Sequence, residues 1–176
     1  MKRVIAIILL VGWPSVALAI LGCLRDERDL AKRSTAVVVV NIQKVGKATV
    51  ASCPESKPAS PREITLGGRT YESGYAECGE VGVLKATVVE SLRGDLSGTL
   101  DVLVGTPSGL VLGPCDDRPD LPKMAGLQAV LYLRRDGSRW WTLDGPDSIY
   151  TLWPQPTLGR DFIMRVKQLL AEPPTK

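Results

Sequence analysis

The chain has 176 residues, 23% of them charged, and a formal net charge of +3 at pH 7. This length is typical of one domain, and basic residues are interspersed with acidic ones along the chain, which excludes the concentrated basic face of a nucleic-acid-binding protein. Histidine is absent, so the chain lacks the commonest acid or base at neutral pH, the commonest metal ligand and the usual partner of a catalytic serine or cysteine. We therefore expect no enzymatic activity and no bound metal or cofactor.

The N-terminus has the three parts of an export signal. Lys2 and Arg3 precede the apolar run Val4–Val11, and the small-residue segment Ala17–Ala19 follows, which is the order found in secretory signal peptides. The apolar run is shorter than the roughly 20 residues that cross a bilayer. We predict a cleaved signal peptide at 1–19, a single domain at 20–172, a frayed tail at 173–176, and a periplasmic or secreted location.

A lipoprotein signal is the alternative interpretation of the same region. Ala19–Cys23 resembles a bacterial lipobox, because a small residue directly precedes the cysteine. The signal would then end at residue 22, and lipid on Cys23 would anchor the chain to a membrane. Leu21 is bulky for a lipobox and Pro14 suits a cleaved signal, so simple cleavage is favoured, but both routes stay open.

The first half of the mature chain is predicted to contain one helix and three strands. The continuous β-branched run Val37–Val40 predicts a strand buried on both faces at 36–42, which continues to Val50 through a bulge at Gly46. The other elements of this half are a charged helix at 24–34, a Pro- and Ser-rich surface loop at 52–69, strands at 69–78 and 80–92, and a turn at 93–98.

The second half is predicted to contain three more strands and a final helix. Leu127, Ala129, Leu131 and Leu133 recur at strand spacing. The other elements are a strand at 100–104, an irregular loop at 108–123, a hairpin turn at Asp136-Gly137 leading into 139–143, and a helix capped by Thr157 and continuing to Leu170. The whole pattern predicts a mainly β protein, a small OB-like barrel of five or six strands with a short helix before it and another after it; a β-sandwich is the alternative.

Four cysteines are present, Cys23, Cys53, Cys78 and Cys115, and they lie far apart. None forms the close pairs of zinc sites or thioredoxin-like redox sites. An even number of cysteines in an exported chain predicts two disulfides, although four cysteines permit three pairings.

Two groups of residues are candidates for a binding surface. Asp116, Asp117 and Asp120 form an acidic cluster that matches no calcium-loop spacing, so a solvated turn is favoured over a metal or partner contact. Trp140 and Trp141 are adjacent on a predicted strand and must point to opposite faces. Core packing is the favoured role of this pair, and an exposed aromatic platform for a peptide or carbohydrate is the alternative.

The order of several landmarks resembles the netrin-like domain, the OB-fold barrel of tissue inhibitors of metalloproteinases and their bacterial relatives. Cys23 resembles the early cysteine of the family, and Ala36–Val40 resembles its first barrel strand. Val83–Gly94 resembles a strand that ends in a basic residue and glycine. Thr106-Pro107 before Cys115 resembles the Thr-Pro segment before a cysteine, and Leu127–Leu133 resembles the strand that follows. The resemblance implies a disulfide between Cys23 and Cys115, and it leaves Cys53 to pair with Cys78.

The resemblance also raises the question of protease inhibition. Inhibitors of this family chelate a protease zinc through the free amine and carbonyl of a mature N-terminal cysteine. Here cleavage after Ala19 leaves Ile20 to Gly22 ahead of Cys23, lipidation would acylate its amine, and the next residue is the apolar Leu24. We therefore expect an exported, non-enzymatic binding module whose partner is another envelope or extracellular protein. The alternatives are a metalloprotease inhibitor and a lipoprotein of the cell envelope anchored through Cys23.

Overall fold

The computed structural model describes residues 27–51, 62–66, 69–109, 120–152 and 156–172. This part of the chain forms helices α1 (Glu27–Arg33) and α2 (Pro156–Ala171) and nine strands: β1 (Ala36–Val50), β2 (Arg62–Leu66), β3 (Arg69–Ala76), β4 (Gly79–Arg93), β5 (Thr99–Val104), β6 (Thr106–Gly109), β7 (Gln128–Asp136), β8 (Arg139–Thr142) and β9 (Ile149–Thr151). Within it, no helix has both the length and the apolar character needed to cross a membrane.

Five strands close into a barrel. Their order is β1-β4-β5-β8-β7, and β7 pairs back onto β1. The pairing of β5 with β8 is parallel and the other four are antiparallel; β9 extends the sheet beyond β7. The predicted mainly β, OB-like barrel with a helix before it and a helix after it is confirmed.

The barrel closes because β1 is long and bends. Its residues 36–41 pair with β7 along one edge, while nearly the whole strand pairs with β4 along the other. The register with β4 shifts at three places, between Val37 and Val38, between Val39 and Val40, and between Ile42 and Lys44. Such bulges curve a strand and increase its twist, which lets one strand form both sides of the closure.

The barrel interior is filled by aliphatic side chains that alternate along the strands. Met124 is contributed from outside the strands by a 3-10 turn, Leu121–Met124, and it is 1% exposed. The other buried members are Ala36, Val38, Val40, Ile42, Leu84, Ala86, Val102, Val104, Ala129, Leu131, Leu133 and Ile149. Burial of this apolar surface is the main stabilising term of the barrel.

The two helices cover the outer face of β1 and β7. Val37 and Val39 point outward into a second core, so the run Val37–Val40 is buried on both faces, as predicted. Within this core Tyr132 packs edge-on against Tyr150, with ring centroids 5.7 Å apart, and Tyr150 stacks on Phe162 of α2 at 5.0 Å. One side of the barrel is therefore closed to solvent by helix packing.

A second sheet corrects two sequence predictions. It contains β2, β3 and β6, so the predicted loop at 52–69 includes a strand at Arg62–Leu66, and the predicted loop at 108–123 is preceded by a strand that extends to Gly109. Pro107 argued against a strand at this position because proline lacks an amide donor. Within the described part of the chain β6 pairs with β3 alone, and an edge strand tolerates proline.

The Arg93-Gly94 pair fastens α1 to the barrel. The Arg93 guanidinium donates hydrogen bonds to the carbonyls of Ala31 at 2.5 Å and Ser34 at 3.4 Å, and so satisfies the C-terminal end of α1. Gly94 has a φ of +91°, and a Cβ on it would stand 2.8 Å from the Cβ of Ala36. The basic residue and the glycine that end β4 therefore have a structural role.

Candidate binding surface

Trp140 and Trp141 lie on opposite faces of β8. Trp140 is half-buried against the barrel interior, whereas Trp141 points outward and is 2% exposed. The guanidinium of Arg134 lies 5.9 Å from the Trp141 ring centroid, and that of Arg135 lies 5.7 Å from the Trp140 ring. Because one indole faces each way and Trp141 is covered, the two do not form an exposed aromatic platform.

The acidic cluster is described only at Asp120. Its side chain is 51% exposed and forms a salt bridge of 2.9 Å with Lys123 in the turn that precedes Met124. The hydrogen bond and charge of Asp120 raise the pKa of Lys123. Asp116 and Asp117 lie outside the described residues. Among the residues described, no three acidic or cysteine side chains are grouped so that they could hold a metal ion.

Cys78 is the one cysteine within the described residues, and it is disulfide-bonded. The other half of its bridge lies outside them, as do Cys23, Cys53 and Cys115, so the pairings that the resemblance implies stay predictions. The preceding residue, Glu77, forms a salt bridge with Arg134 in which the two side chains are 14% and 22% exposed. This ion pair fastens the segment before β4 to the outer surface of β7.

The barrel register places four polar side chains in one row on the outer surface. Gln128 of β7 lies opposite Asn41 of β1, which lies opposite Thr87 of β4. Thr87 lies in turn opposite Thr99 of β5. The Gln43 amide nitrogen donates to the Thr87 hydroxyl oxygen at 2.6 Å, and the Gln128 amide nitrogen to the Asn41 carbonyl oxygen at 3.4 Å. Only Thr87 is half-buried; the others are exposed.

Two lysines face each other beside this polar row. Lys44 of β1 is the register partner of Lys85 of β4, and Lys85 is the partner of Asp101 of β5. All three are exposed, and within the described chain no salt bridge joins either lysine to a carboxylate. Like charges directly opposite each other destabilise an antiparallel pair. An anionic group bound here would relieve that repulsion.

We use the name open face for the outward residues of β1, β4 and β5 that no helix covers. They are Asn41, Gln43, Lys44, Lys85, Thr87, Thr99 and Asp101. Neutral amides and hydroxyls dominate one half of the open face, and a cationic excess dominates the other half. Such a surface can donate and accept hydrogen bonds and attract an anionic partner.

Beyond its pairing with β7, β1 continues along β4 as the outer strand of a ribbon, in which Gly82–Lys85 of β4 pair in turn with β5. From Lys44 to Val50 it pairs with Gly79–Lys85 of β4, while its pairing with β7 ends at Asn41. The last backbone bonds on the β7 side join Ile42 to Gly126 and Leu127. Within the described chain, the backbone of Lys44–Val50 on the side away from β4 has no partner strand; we call it the ribbon edge.

The open face was not predicted from the sequence. The alternation of polar Asn41 and Gln43 with Ile42 marks an exposed side of β1, but it does not reveal which residues of other strands lie beside them. That depends on the register shift between Ile42 and Lys44, which sequence alone does not predict.

Comparisons with known proteins returned no relative. No family model matches the chain, and no curated protein and no solved structure matches it. Membership of the netrin-like family therefore stays a prediction.

Proposed function

We propose that this protein is an exported, non-enzymatic binding module that holds another envelope or extracellular protein on its open face. The observation that carries the proposal is the asymmetry of the barrel surface. The outer face of β1 and β7 is covered by α1 and α2, whereas the open face presents amides, hydroxyls, two lysines and one aspartate to solvent.

The barrel is a rigid support for such a surface. Every residue of the open face lies on a strand of the closed sheet, and Thr87 and Lys85 alternate with Ala86, which is 0% exposed in the interior core. Side chains on packed strands are held more accurately than side chains on loops. A partner would therefore meet an ordered array of donors and acceptors.

The export part of the proposal rests on the N-terminal signal and on sulfur chemistry. The segment 1–19 has the order of a secretory signal, and the disulfide state of Cys78 agrees with an oxidising compartment. A covalent bridge also stabilises a small barrel, because it restricts the unfolded chain.

Site-specific photo-crosslinking in the native envelope tests the binding role. A photoreactive side chain is placed at Thr99 on the open face, at Asp101 beside it, or at Arg160 on the exposed side of α2 as a matched control. We expect one defined crosslinked protein from both open-face positions and none from the control. Identical products from all three positions, or none from the open face, would contradict the proposal.

The route of export is tested by the mass of the mature, non-reduced protein. A chain that begins at Ile20 is the expected result, and it defines a soluble module. An acylated Cys23 would make the protein a membrane-anchored lipoprotein that presents the same open face. A free amine on Cys23 would support the metalloprotease-inhibitor alternative. Proteolytic fragments of the same non-reduced protein report which cysteine is joined to Cys78.

A further inference from the structure

We infer that the ribbon edge binds an extended acidic peptide segment of the partner as an added β-strand. This inference rests on the proposed binding function and goes beyond it by naming the mode of binding and the chemistry of the bound segment. The ribbon edge has an open backbone within the described chain, a lysine on one face and an apolar side chain on the other.

The backbone supplies the first argument. Within the described chain β1 is hydrogen-bonded on both sides up to Ile42 and on one side from Lys44 to Val50, so the ribbon edge offers a row of donors and acceptors at a strand that is already extended. A peptide in β conformation satisfies such a row without rearrangement of the protein, which is the basis of binding by strand addition.

The positive charge beside the ribbon edge favours an acidic peptide. Lys44 lies opposite Lys85, and Asp101 lies on the far side of Lys85. Farther along the ribbon Lys47 is bound to Glu80 at 2.7 Å. A residue on an added strand opposite Lys44 would lie about 5 Å away, so a glutamate or aspartate there would neutralise the lysine pair. A second copy of this edge is disfavoured, because self-pairing would add lysines to lysines.

The two faces of the ribbon differ beside Lys44. A Cβ placed on Gly46 would meet no atom within 4 Å, so the face that Gly46 shares with Lys44 is uncovered at this point. Val45 is half-buried, packs against the interior core and points to the other face, so an added strand here would meet a lysine on one face and an apolar side chain on the other. The matching segment therefore alternates acidic and β-branched residues.

The experiment uses the full mature protein and a capped peptide of alternating glutamate and valine, as long as the ribbon edge. We expect the peptide to shift the amide resonances of Lys44–Val50 and to slow their hydrogen exchange. Lys44→Glu places a carboxylate opposite Lys85, which preserves the fold, and should weaken binding about tenfold or more. Arg160→Glu makes the same charge change on α2 and should leave binding unaltered.

Two control peptides separate the ribbon edge from simple charge attraction. Methylation of alternate peptide nitrogens removes the donors of an added strand and keeps the carboxylates; loss of binding supports strand addition, and unchanged binding overturns it. A lysine–valine peptide should not bind, and binding equal to that of the acidic peptide would also overturn the inference. If Thr99 crosslinks a partner while the Lys44–Val50 amides stay unprotected, the proposed function stands and strand addition fails.

Discussion

Arg33, the last residue of α1, binds the carboxylate of Asp144 through both terminal guanidinium nitrogens, at 3.1 and 2.5 Å. The Asp144 side chain is 7% exposed, whereas that of Arg33 is 34% exposed and also contacts Asp29 one turn earlier at 2.8 Å. Burial by itself would lower the pKa of Arg33, but the hydrogen bonds and charges of Asp144 and Asp29 raise it above its ordinary value. The pair thus fastens α1 to the segment that follows β8.

The unequal burial of the two partners predicts unequal costs of removing them. Arg33→Ala leaves a buried carboxylate without its guanidinium and should lower the free energy of unfolding by about 2 to 4 kcal/mol. Asp144→Ala leaves a guanidinium that can turn to solvent or to Asp29, and should cost about 1 to 2 kcal/mol. Urea unfolding of both variants measures the difference, and equal costs would contradict this account.

Gly94 is predicted to be intolerant of a side chain for two separate reasons. Its φ of +91° disfavours every residue with a Cβ, and that Cβ would clash with Ala36. Gly137 has a φ of +57°, and a Cβ on it would meet no atom within 4 Å. Gly137→Ala therefore measures only the cost of a positive φ, about 1 kcal/mol of the free energy of unfolding. Gly94→Ala should cost about 2 kcal/mol more than Gly137→Ala in urea unfolding. If the two variants lost similar free energies of unfolding, the structure around Ala36 would have adjusted to make room for the new Cβ.

The sequence predicted those strands of the barrel whose hydrophobic pattern is sufficient to identify them. The run Val37–Val40 and the alternation from Leu127 to Leu133 became β1 and β7, which pair with each other. The patterns failed where pairing between distant segments overrides local preference, as at Pro107 in β6. The open face depends on the register of Asn41 with Thr87, and register is set by a bulge and by packing rather than by any local signal.

The buried Tyr132 is predicted to make the free energy of unfolding fall at alkaline pH. Its side chain is fully buried and its hydroxyl has no hydrogen-bond partner among the described residues. Burial, then the charges of Glu27 and Tyr150, raise the pKa of Tyr132 above its ordinary value of 10.0. The unfolded chain therefore releases this proton first as pH rises, so the stability contribution is complete below pH 10 and is lost above it.

Tyr132→Phe isolates that contribution. Above pH 10 the unmodified protein should lose about 1.4 kcal/mol per pH unit through this one group, whereas the variant should lose correspondingly less. At neutral pH the variant should be as stable or slightly more stable, because no hydrogen bond is removed. Urea unfolding at pH 7 and above pH 10 gives both values, and parallel pH profiles for the two proteins would show that Tyr132 ionises freely in the fold.

Repulsion between the two lysines of the open face is predicted to lower the free energy of unfolding. Because Lys44 and Lys85 are register partners, Lys44→Glu replaces repulsion by attraction and should raise the free energy of unfolding by about 0.5 to 1 kcal/mol at low salt. Both side chains are exposed, so the gain should shrink as ionic strength rises. Lys123→Glu, which breaks the exposed pair with Asp120, should change stability in the opposite direction. If the Lys44→Glu variant kept its higher free energy of unfolding in high salt, the difference would come from packing and not from charge. Repulsion between Lys44 and Lys85 would then give no reason for an anionic partner at this position.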